Sequence, residues 1–180
     1  MAQERLITQI DYARAGKITP QMEAVAAKEH KTSEEIRAGV AKGCIAIPAN
    51  IHHAALSPEG VGEGMRTKVN VNLGISGDLM NAEMELEKVR TAIELGAEGI
   101  MDLSNHGKTH DFRKHLIDMS PAMIGTVPMY DAIGYLEKPL IGITAQDFLD
   151  VVRAHAEDGV DFVTIHAGMN RRTIENFKET

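Results

Sequence analysis

Cysteine is almost absent from this sequence of 180 residues, because Cys44 is the only one. A single thiol forms no disulfide within the chain, and by itself it holds neither an iron–sulfur cluster nor a thiolate zinc site. No stretch is long and apolar enough to span a bilayer. The first ten residues carry Glu4 and Arg5 and lack an apolar run after a basic stretch, so we predict no secretory signal. We therefore expect a cytoplasmic protein.

Basic charge is also in deficit. The chain has 19 lysine and arginine residues against 26 aspartate and glutamate residues, which gives a formal net charge of -7. This balance provides no general electrostatic reason to bind nucleic acid or an anionic membrane, and we predict neither partner. The hydrophobic share of 43% and the charged share of 25% are ordinary for a globular domain with a core.

Residues 1–66 are predicted to form an N-terminal helical segment with a short strand. Three helices are expected, the first ending before Gly16, the second starting at Pro20 and the third starting after Thr32 and ending near Gly43. Thr19 is the expected N-cap of the second helix, and Thr32 with Glu35 forms a capping box for the third. Residues 45–47 read as the strand, and residues 57–65 read as a loop.

Residues 67–180 repeat a strand-then-helix pattern four times. The expected strands cover residues 68–73, 99–103, 123–127 and 161–166, and the expected helices cover 81–95, 111–119, 130–136, 144–157 and the chain from 171 to 180. Continuous apolar and β-branched strands indicate a parallel sheet that is buried on both faces. The pattern suits a doubly wound sheet or a (βα)8 barrel, and no G-x-G-x-x-G follows the first strand.

We predict an α/β fold of the (βα)8 TIM-type barrel, of which this chain holds the first half, about four βα units. A complete barrel typically needs about 250 residues, so the chain is expected to be truncated. Functional groups of such barrels lie where strands end. An open half barrel leaves two sheet edges and one apolar face uncovered, and we expect the isolated segment to associate with itself.

The strand ends carry four candidate ligand-binding residues, which are Asn72, Met101, Tyr130 and His166. Each has a purely structural alternative. Asn72 could bond a loop backbone, Met101 could be core, Tyr130 could cap the sheet, and His166 could be a hydrogen-bonded core histidine. Gly74 beside Asn72 suggests a close approach of two backbones. Four such positions in register on one rim favour a ligand site.

Histidines and acidic residues give no clear metal site. Four histidines invite a metal interpretation, namely His52, His53, His106 and His110. Only the last two have the i, i+4 spacing of ligands, and they lie in a glycine-containing loop, so we predict no metal site within this segment. Asp102 and Asp161 are expected to tie loops or bind polar neighbours and not to act as acid and base.

Five blocks in order, PANIHH, RTKVNVNLGIS, GAEGIMDLSNHGKTH, MIGTVPMYDAI and GVDFVTIHAGMNRRT, resemble the thiamin pyrimidine synthase (phosphomethylpyrimidine synthase) family of radical S-adenosylmethionine enzymes. The resemblance covers nearly the whole chain. It implies reductive cleavage of S-adenosylmethionine at a [4Fe-4S] cluster, and a radical that abstracts hydrogen from 5-aminoimidazole ribotide. It also implies that Asn72, Met101, Tyr130 and His166 contact this ribotide, and it leaves catalytic residues unassigned.

Within that resemblance, Asn70-Val-Asn-Leu-Gly-Ile-Ser76 and Asp102-Leu-Ser-Asn-His-Gly107 depart from the N-A-N-I-G and D-L-S-T-G of the thiamin branch. Together with residues 129–136 and 166–173, these blocks look more like the sister branch. We therefore read the chain first as part of a 5-hydroxybenzimidazole synthase, a radical carbon–carbon lyase for the lower ligand of cobalamin in the anaerobic pathway. Phosphomethylpyrimidine synthase of thiamin biosynthesis is the alternative. The resemblance further implies a homodimer, and ligands for the cluster and for a divalent metal such as zinc beyond Thr180. The segment alone is expected to be inactive.

Two other classes compete with the radical enzyme. A barrel lyase or aldolase would need a Schiff-base lysine or a metal constellation at the rim. Lys68 and Lys108 are expected at a strand start and in a loop, which disfavours this class. A non-catalytic half-barrel scaffold that dimerises into a whole barrel is the third possibility.

Overall fold

The computed structural model describes residues 7–77, 81–107, 109–135, 140–168 and 170–178. In this part of the chain the helices are α1 (Gln9–Arg14), α2 (Pro20–Lys28), α3 (Ser33–Lys42), α4 (Ala82–Glu94), α5 (His110–Met119), α6 (Pro128–Tyr135), α7 (Ala145–Asp158) and α8 (Arg171–Lys178). The strands are β1 (Ile45–Ala46), β2 (Val61–Gly62), β3 (Asn70–Leu73), β4 (Gly99–Asp102), β5 (Met123–Thr126) and β6 (Phe162–Val163). None of these helices combines the length and the apolar character that a membrane span requires.

The caps of the first three helices follow the sequence. The Thr19 hydroxyl accepts a hydrogen bond from the amide of Met22, as predicted for the N-cap of α2. Thr32 and Glu35 form the predicted capping box of α3, and Gly43 ends that helix in a left-handed conformation with φ of 76°. The three helices share one apolar core, whose buried members are Ala13, Met22, Val25, Ala26, Ile36, Val40, Ile45 and Ile47.

The strand β2 was missed by sequence reasoning, which placed residues 57–65 in a loop. β2 pairs antiparallel with β1, with Ile45 opposite Gly62. Two residues that include a glycine carry no β-branched run, so no pattern predicts this strand. Gly62 is required there, because its φ is 143° and a Cβ would overlap the carbonyl of Cys44.

The other four strands form one parallel sheet in the order β3-β4-β5-β6, so that each strand pairs with the next one along the chain. Asn72 lies opposite Met101, and Met101 lies opposite Gly125. This arrangement confirms the predicted α/β class with a parallel sheet. The strict sequential order requires each crossover helix to return the chain to the neighbouring strand.

The two faces of this sheet differ, because side chains along a strand alternate between them. Leu73, Ile100 and Ile124 point to the face that α4 and α5 cover, and there they join one hydrophobic core. The helical side of that core consists of Val89, Ala92, Phe112, Leu116 and Ile117. The alternate positions, such as Asn72 and Met101, point to the opposite face.

Several element boundaries differ from the sequence prediction. The strand expected at 161–166 is only Phe162–Val163, so His166 lies in the loop after β6 and not in a strand. α6 begins at Pro128 and not at Tyr130, because proline is favoured in the first turn of a helix. The predicted helix ends at residues 136 and 180 fall outside the described residues.

A buried pair of charged side chains joins the PANIHH block to the start of β6. His53 Nδ1 lies 2.7 Å from Asp161 Oδ2, and both side chains are fully buried. His53 Nε2 lies 2.8 Å from the carbonyl of Ser120. Because both ring nitrogens face acceptors, only the protonated ring donates to both. Asp161 also accepts the amides of Asn50 and Ile124, which confirms its predicted role in tying loops.

This contact makes stability depend on pH. Burial opposes the charge on His53, but the hydrogen bond and the charge of Asp161 outweigh burial and raise the pKa of His53 above its ordinary 6.5. The stabilisation is therefore complete below the ordinary pKa and is lost as pH rises through the raised pKa of the folded state. We expect the unfolding free energy of the wild type to fall over this range.

The measurement compares urea unfolding of the wild type and His53→Gln from pH 5 to pH 9. The difference between the two proteins should shrink as pH rises. His52→Gln is the matched control, because His52 is the exposed neighbour and should leave the pH dependence unchanged. A difference that stays constant with pH would show that the pKa of His53 is the same in the folded and unfolded states, and a difference that grows with pH would show that the folded state holds the neutral ring.

Candidate functional site

A cavity of about 860 Å³ lies on the sheet face that the helices leave open. Its floor is formed by the strand residues Asn70, Asn72, Gly99, Met101, Met123 and Phe162 and by Thr164 directly after β6. Leu103, Val127, Tyr130 and His166 line it at the carboxyl ends of the strands. Val61 of β2 and the following Met65 and Arg66 line the opposite end. Its size and largely apolar lining suit a small ligand with a few polar contacts.

The four residues predicted from the strand ends all line this cavity. Asn72 and Met101 project from neighbouring positions of β3 and β4, while Tyr130 and His166 lie beyond the ends of β5 and β6. The structure thus brings together residues that are up to 94 positions apart in sequence, counted from 72 to 166. Ligand binding by these four residues stays a prediction.

Asn72 is oriented by a second asparagine. Asn70 Nδ2 donates to Asn72 Oδ1 over 2.9 Å, and both residues are exposed on the cavity floor. The partner of the Asn72 carbonyl oxygen is therefore a side chain and not a loop backbone. The Nδ2 group of Asn72 is the donor that a ligand oxygen or ring nitrogen can meet.

Met101 forms a packed part of the floor. It is 7% exposed, and its sulfur lies 4.0 Å from Thr164 Oγ1. Gly125 on the neighbouring strand makes this packing possible, because a Cβ there would overlap both Met101 Sδ and the ring of Phe162. The part of the floor around Met101 and Phe162 is therefore apolar and closely packed.

Tyr130 and His166 form an aromatic pair at the rim. Their ring centroids are 5.5 Å apart and the rings are tilted by 42°. Tyr130 is 37% exposed and His166 is exposed in its loop. The structural alternative for His166 is therefore wrong, since an exposed loop residue is no core histidine. The pair offers a ligand two polar tips on an apolar wall.

Buried polar groups hold the loops after β3 and β4 together. Gly74 has a φ of 146°, and a Cβ on it would lie 2.5 Å from the Ser104 backbone nitrogen, which confirms the predicted close approach. Ser104 Oγ accepts the amide of Ile75, and Asp102 accepts the amide and hydroxyl of Ser104. Burial raises the pKa of Asp102, and the bonds from Ser104 offset this effect in part. Asp102 thus ties a loop, as predicted.

The opposite end of the cavity is charged but internally paired. Arg66 bonds to Glu59 and Glu98, and Lys68 bonds to Glu29. Burial opposes the charge of Glu98, yet bonds from the Val69 amide and Arg66 outweigh it and lower the pKa of Glu98. Lys68 is therefore an ion-pair partner and not a free Schiff-base amine. Lys108, the other candidate lysine, lies outside the described residues.

Over the part of the chain that the structure describes, no group of three or more histidine, cysteine or acidic side chains could hold a metal ion. His110 pairs with Asp158 at 2.9 Å, and Cys44 is an exposed single thiol. Three thiolates are needed to leave one iron of a [4Fe-4S] cluster open for a cofactor. The residues present therefore do not fit such a cluster.

A buried polar network lies behind the rim, on the helical side of the sheet. His155 Nδ1 is 2.8 Å from Thr126 Oγ1, and His155 Nε2 is 2.8 Å from Asp131 Oδ2. Arg113 bonds to Asp131 over 3.1 Å and to Asp158 over 2.7 Å. Burial alone would raise the pKa of Asp131, but bonds from His155 and Thr109 and the charge of Arg113 outweigh burial and lower it.

Sequence reasoning missed part of the site. It found Asn72 and Met101 on the floor and two residues at the rim, but it did not find the floor positions Asn70, Met123, Phe162 and Thr164. A signal existed, because these residues continue the two-residue alternation that contains Asn72 and Met101. No comparable signal existed for His155 and Arg113, which lie on two different helices and meet Asp131 only in the folded chain.

A sequence model described as the Radical SAM ThiC family matches residues 8–180. The chain belongs to this family, which implies S-adenosylmethionine and a [4Fe-4S] cluster for the whole enzyme.

Three relatives show how closely the chain follows the family. It is 64% identical over 171 residues to the phosphomethylpyrimidine synthase of Alkaliphilus metalliredigens, which is 95% of this chain and 39% of the relative. It is 61% identical over 171 residues to that of Clostridium tetani, covering 95% and 37%. It is 59% identical over 172 residues to that of Alkaliphilus oremlandii, covering 96% and 39%. The chain therefore spans about two fifths of the length of these relatives.

These names reverse the order of the two predicted branches. Variant residues in four short blocks, 70–76, 102–107, 129–136 and 166–173, placed the benzimidazole branch first, whereas relatives that match along nearly the whole chain carry the name of the alternative. Four short blocks weigh less than agreement over 171 residues. The reading as 5-hydroxybenzimidazole synthase is not supported.

Proposed function

We propose that this chain is part of a phosphomethylpyrimidine synthase and forms one wall of its ribotide site. The observation that carries the proposal is the cavity in which Asn72, Met101, Tyr130 and His166 meet. Family membership and relatives of 59–64% identity support the activity. The substrate is 5-aminoimidazole ribotide, the product belongs to thiamin biosynthesis, and the enzyme is a cytoplasmic homodimer.

Each of the four residues makes a different contact with the ribotide. The Nδ2 group of Asn72 donates to an acceptor of the substrate, and Met101 supports the flat ring from below. Tyr130 and His166 close the rim with their hydroxyl and imidazole groups, 5.5 Å apart between ring centroids. Fixing a substrate in this way lowers the entropy cost of reaching a reactive geometry.

The wall is one half of a (βα)8 barrel in this proposal. Sequential parallel strands, helices on one face and a cavity on the other are the arrangement of barrel units. A doubly wound sheet would place helices on both faces and would reverse its strand order at a switch point. Neither feature occurs among the described residues, whose strands run in sequence order.

The experiment that tests this function is product analysis of the full-length gene product. The protein is reconstituted anaerobically with iron and sulfide and receives the ribotide, S-adenosylmethionine and a reductant. Mass spectrometry should detect a phosphorylated pyrimidine. A benzimidazole would instead restore the cobalamin branch, and intact S-adenosylmethionine with neither product would contradict radical chemistry. Asn72→Ala serves as the site variant and should reduce product formation.

A further inference from the structure

One side chain, His155 of α7, fixes the turn between β5 and α6. β5 ends at Thr126 and α6 begins at Pro128, so that only Val127 separates the strand from the helix. His155 lies 2.8 Å from Thr126 Oγ1 on one side and 2.8 Å from Asp131 Oδ2 on the other. The imidazole therefore connects the last strand residue directly to the first turn of the helix.

The bonding partners define the orientation of this imidazole. Asp131 is ionised, because its pKa is lowered as described above, so it accepts from the Nε2–H of His155. The other ring nitrogen, Nδ1, meets the hydroxyl of Thr126, which can donate or accept as that nitrogen requires. His155 is 2% exposed and Thr126 is also 2% exposed, so water does not compete for either bond. The connection is a buried contact with both ends satisfied.

Asp131 links this contact to the cavity, because it directly follows Tyr130 in α6. Successive helix residues differ by about 100° around the axis, and here Asp131 is buried while Tyr130 reaches the cavity. Thr109 and Arg113 of the α5 region hold the same carboxylate at 2.6 and 3.1 Å. A rotation of α6 that released Asp131 would also move the Tyr130 ring away from His166.

We propose that His155 is a positioning residue that sets the place of Tyr130 against His166 and thereby the affinity for the ribotide. The inference rests on the proposed function, since it assumes that Tyr130 contacts this substrate. His155 touches neither the cavity nor a ligand in it, because it lies on the helical side of the sheet. Its effect on binding must therefore pass through α6.

The test is a double-mutant cycle on ribotide affinity in the full-length gene product, measured by calorimetry without reductant so that no turnover occurs. The four proteins are the wild type, His155→Leu, Tyr130→Ala and the double variant. We expect His155→Leu to raise the ribotide Kd about tenfold, within the range of coupled neighbours. In the Tyr130→Ala background the same substitution should change Kd by less than about twofold.

Two further variants separate positioning from general loss of structure. His155→Gln keeps a donor for Asp131 and an acceptor for Thr126, so it should restore Kd to within about twofold of the wild type. His53→Gln is the matched control, because His53 is equally buried and bonded to an aspartate but lies at the far end of the sheet. It should lower stability and leave Kd unchanged.

If His155→Leu does not fold, Thr126→Val takes its place in the cycle, because it removes only the hydroxyl that His155 meets. It should raise Kd about threefold and lose this effect beside Tyr130→Ala. The proposal would be overturned if the Kd increases of the two single variants multiplied in the double variant. It would also be overturned if His53→Gln raised Kd as much as His155→Leu does. An unchanged Kd in Tyr130→Ala would overturn the site assignment as well. If Tyr130→Ala weakened binding and His155→Leu did not, only the role of His155 would be overturned.

Discussion

The Arg113→Met variant is expected to lose about 3–5 kcal/mol of unfolding free energy, the typical result of removing one partner from a buried ion pair. Arg113 is 2% exposed and bonds to both Asp131 and Asp158. Methionine fills much of the same volume but provides no charge, so that two buried carboxylates lose their common partner. Urea unfolding followed by circular dichroism measures the loss.

The adjacent Lys114→Met variant is the control for this experiment. Lys114 pairs with Asp118 over 2.8 Å, but both side chains are largely exposed. Exposed pairs of this kind contribute about 0–1 kcal/mol, so Lys114→Met should unfold almost like the wild type. A loss below about 1 kcal/mol in Arg113→Met would mean that water reaches the network and that it does not hold the helices together.

A second large effect is expected from Gly125→Ala, which should reduce kcat/KM for the ribotide about 10²-fold. The added Cβ overlaps Met101 Sδ and the ring of Phe162, and both side chains line the cavity. The overlap is removed at the lowest cost when both side chains move into the cavity, where they take up volume that the ligand needs. Steady-state product formation by the full-length gene product, with mass spectrometric detection, measures the change.

Gly39→Ala is the matched control, since its Cβ overlaps Ile45 in the core of the N-terminal helices. Overpacking there should cost about 1–3 kcal/mol of stability and leave kcat/KM unchanged. If Gly125→Ala retained full activity, the floor under Met101 would have to yield away from the cavity, and the packed floor described here would be wrong.

The sequence predicted the elements of the sheet better than their exact lengths. The strands predicted at 99–103 and 123–127 each exceed the observed strand by one residue, because the apolar run continues through Leu103 and Val127 beyond the paired residues. The strand predicted at 161–166 has only two residues in the structure, since pairing ends before Thr164, Ile165 and His166, which are polar or exposed. Caps at Thr19 and Thr32 were predictable, because they depend on side chains within three residues of each other.

The candidate site was predictable at its rim and not behind it. Parallel strands bring their ends to one edge, so Asn72, Met101, Tyr130 and His166 could be grouped from their places at the predicted strand ends, and the family resemblance implied the same four residues. Contacts such as Thr126–His155–Asp131 depend on how α6 and α7 pack, and packing between helices leaves no local pattern in a sequence. The His53–Asp161 pair joins residues 108 positions apart, and it was likewise beyond sequence reasoning.

The central claim is that the cavity over the parallel sheet holds 5-aminoimidazole ribotide. A crystal structure of the full-length gene product with the ribotide tests it most directly. We predict the ribotide on the floor beside Met101, within hydrogen-bond distance of Asn72 and in contact with Tyr130 and His166. A ribotide bound elsewhere, with this sheet face filled by other side chains, would show that the cavity is not the ribotide site.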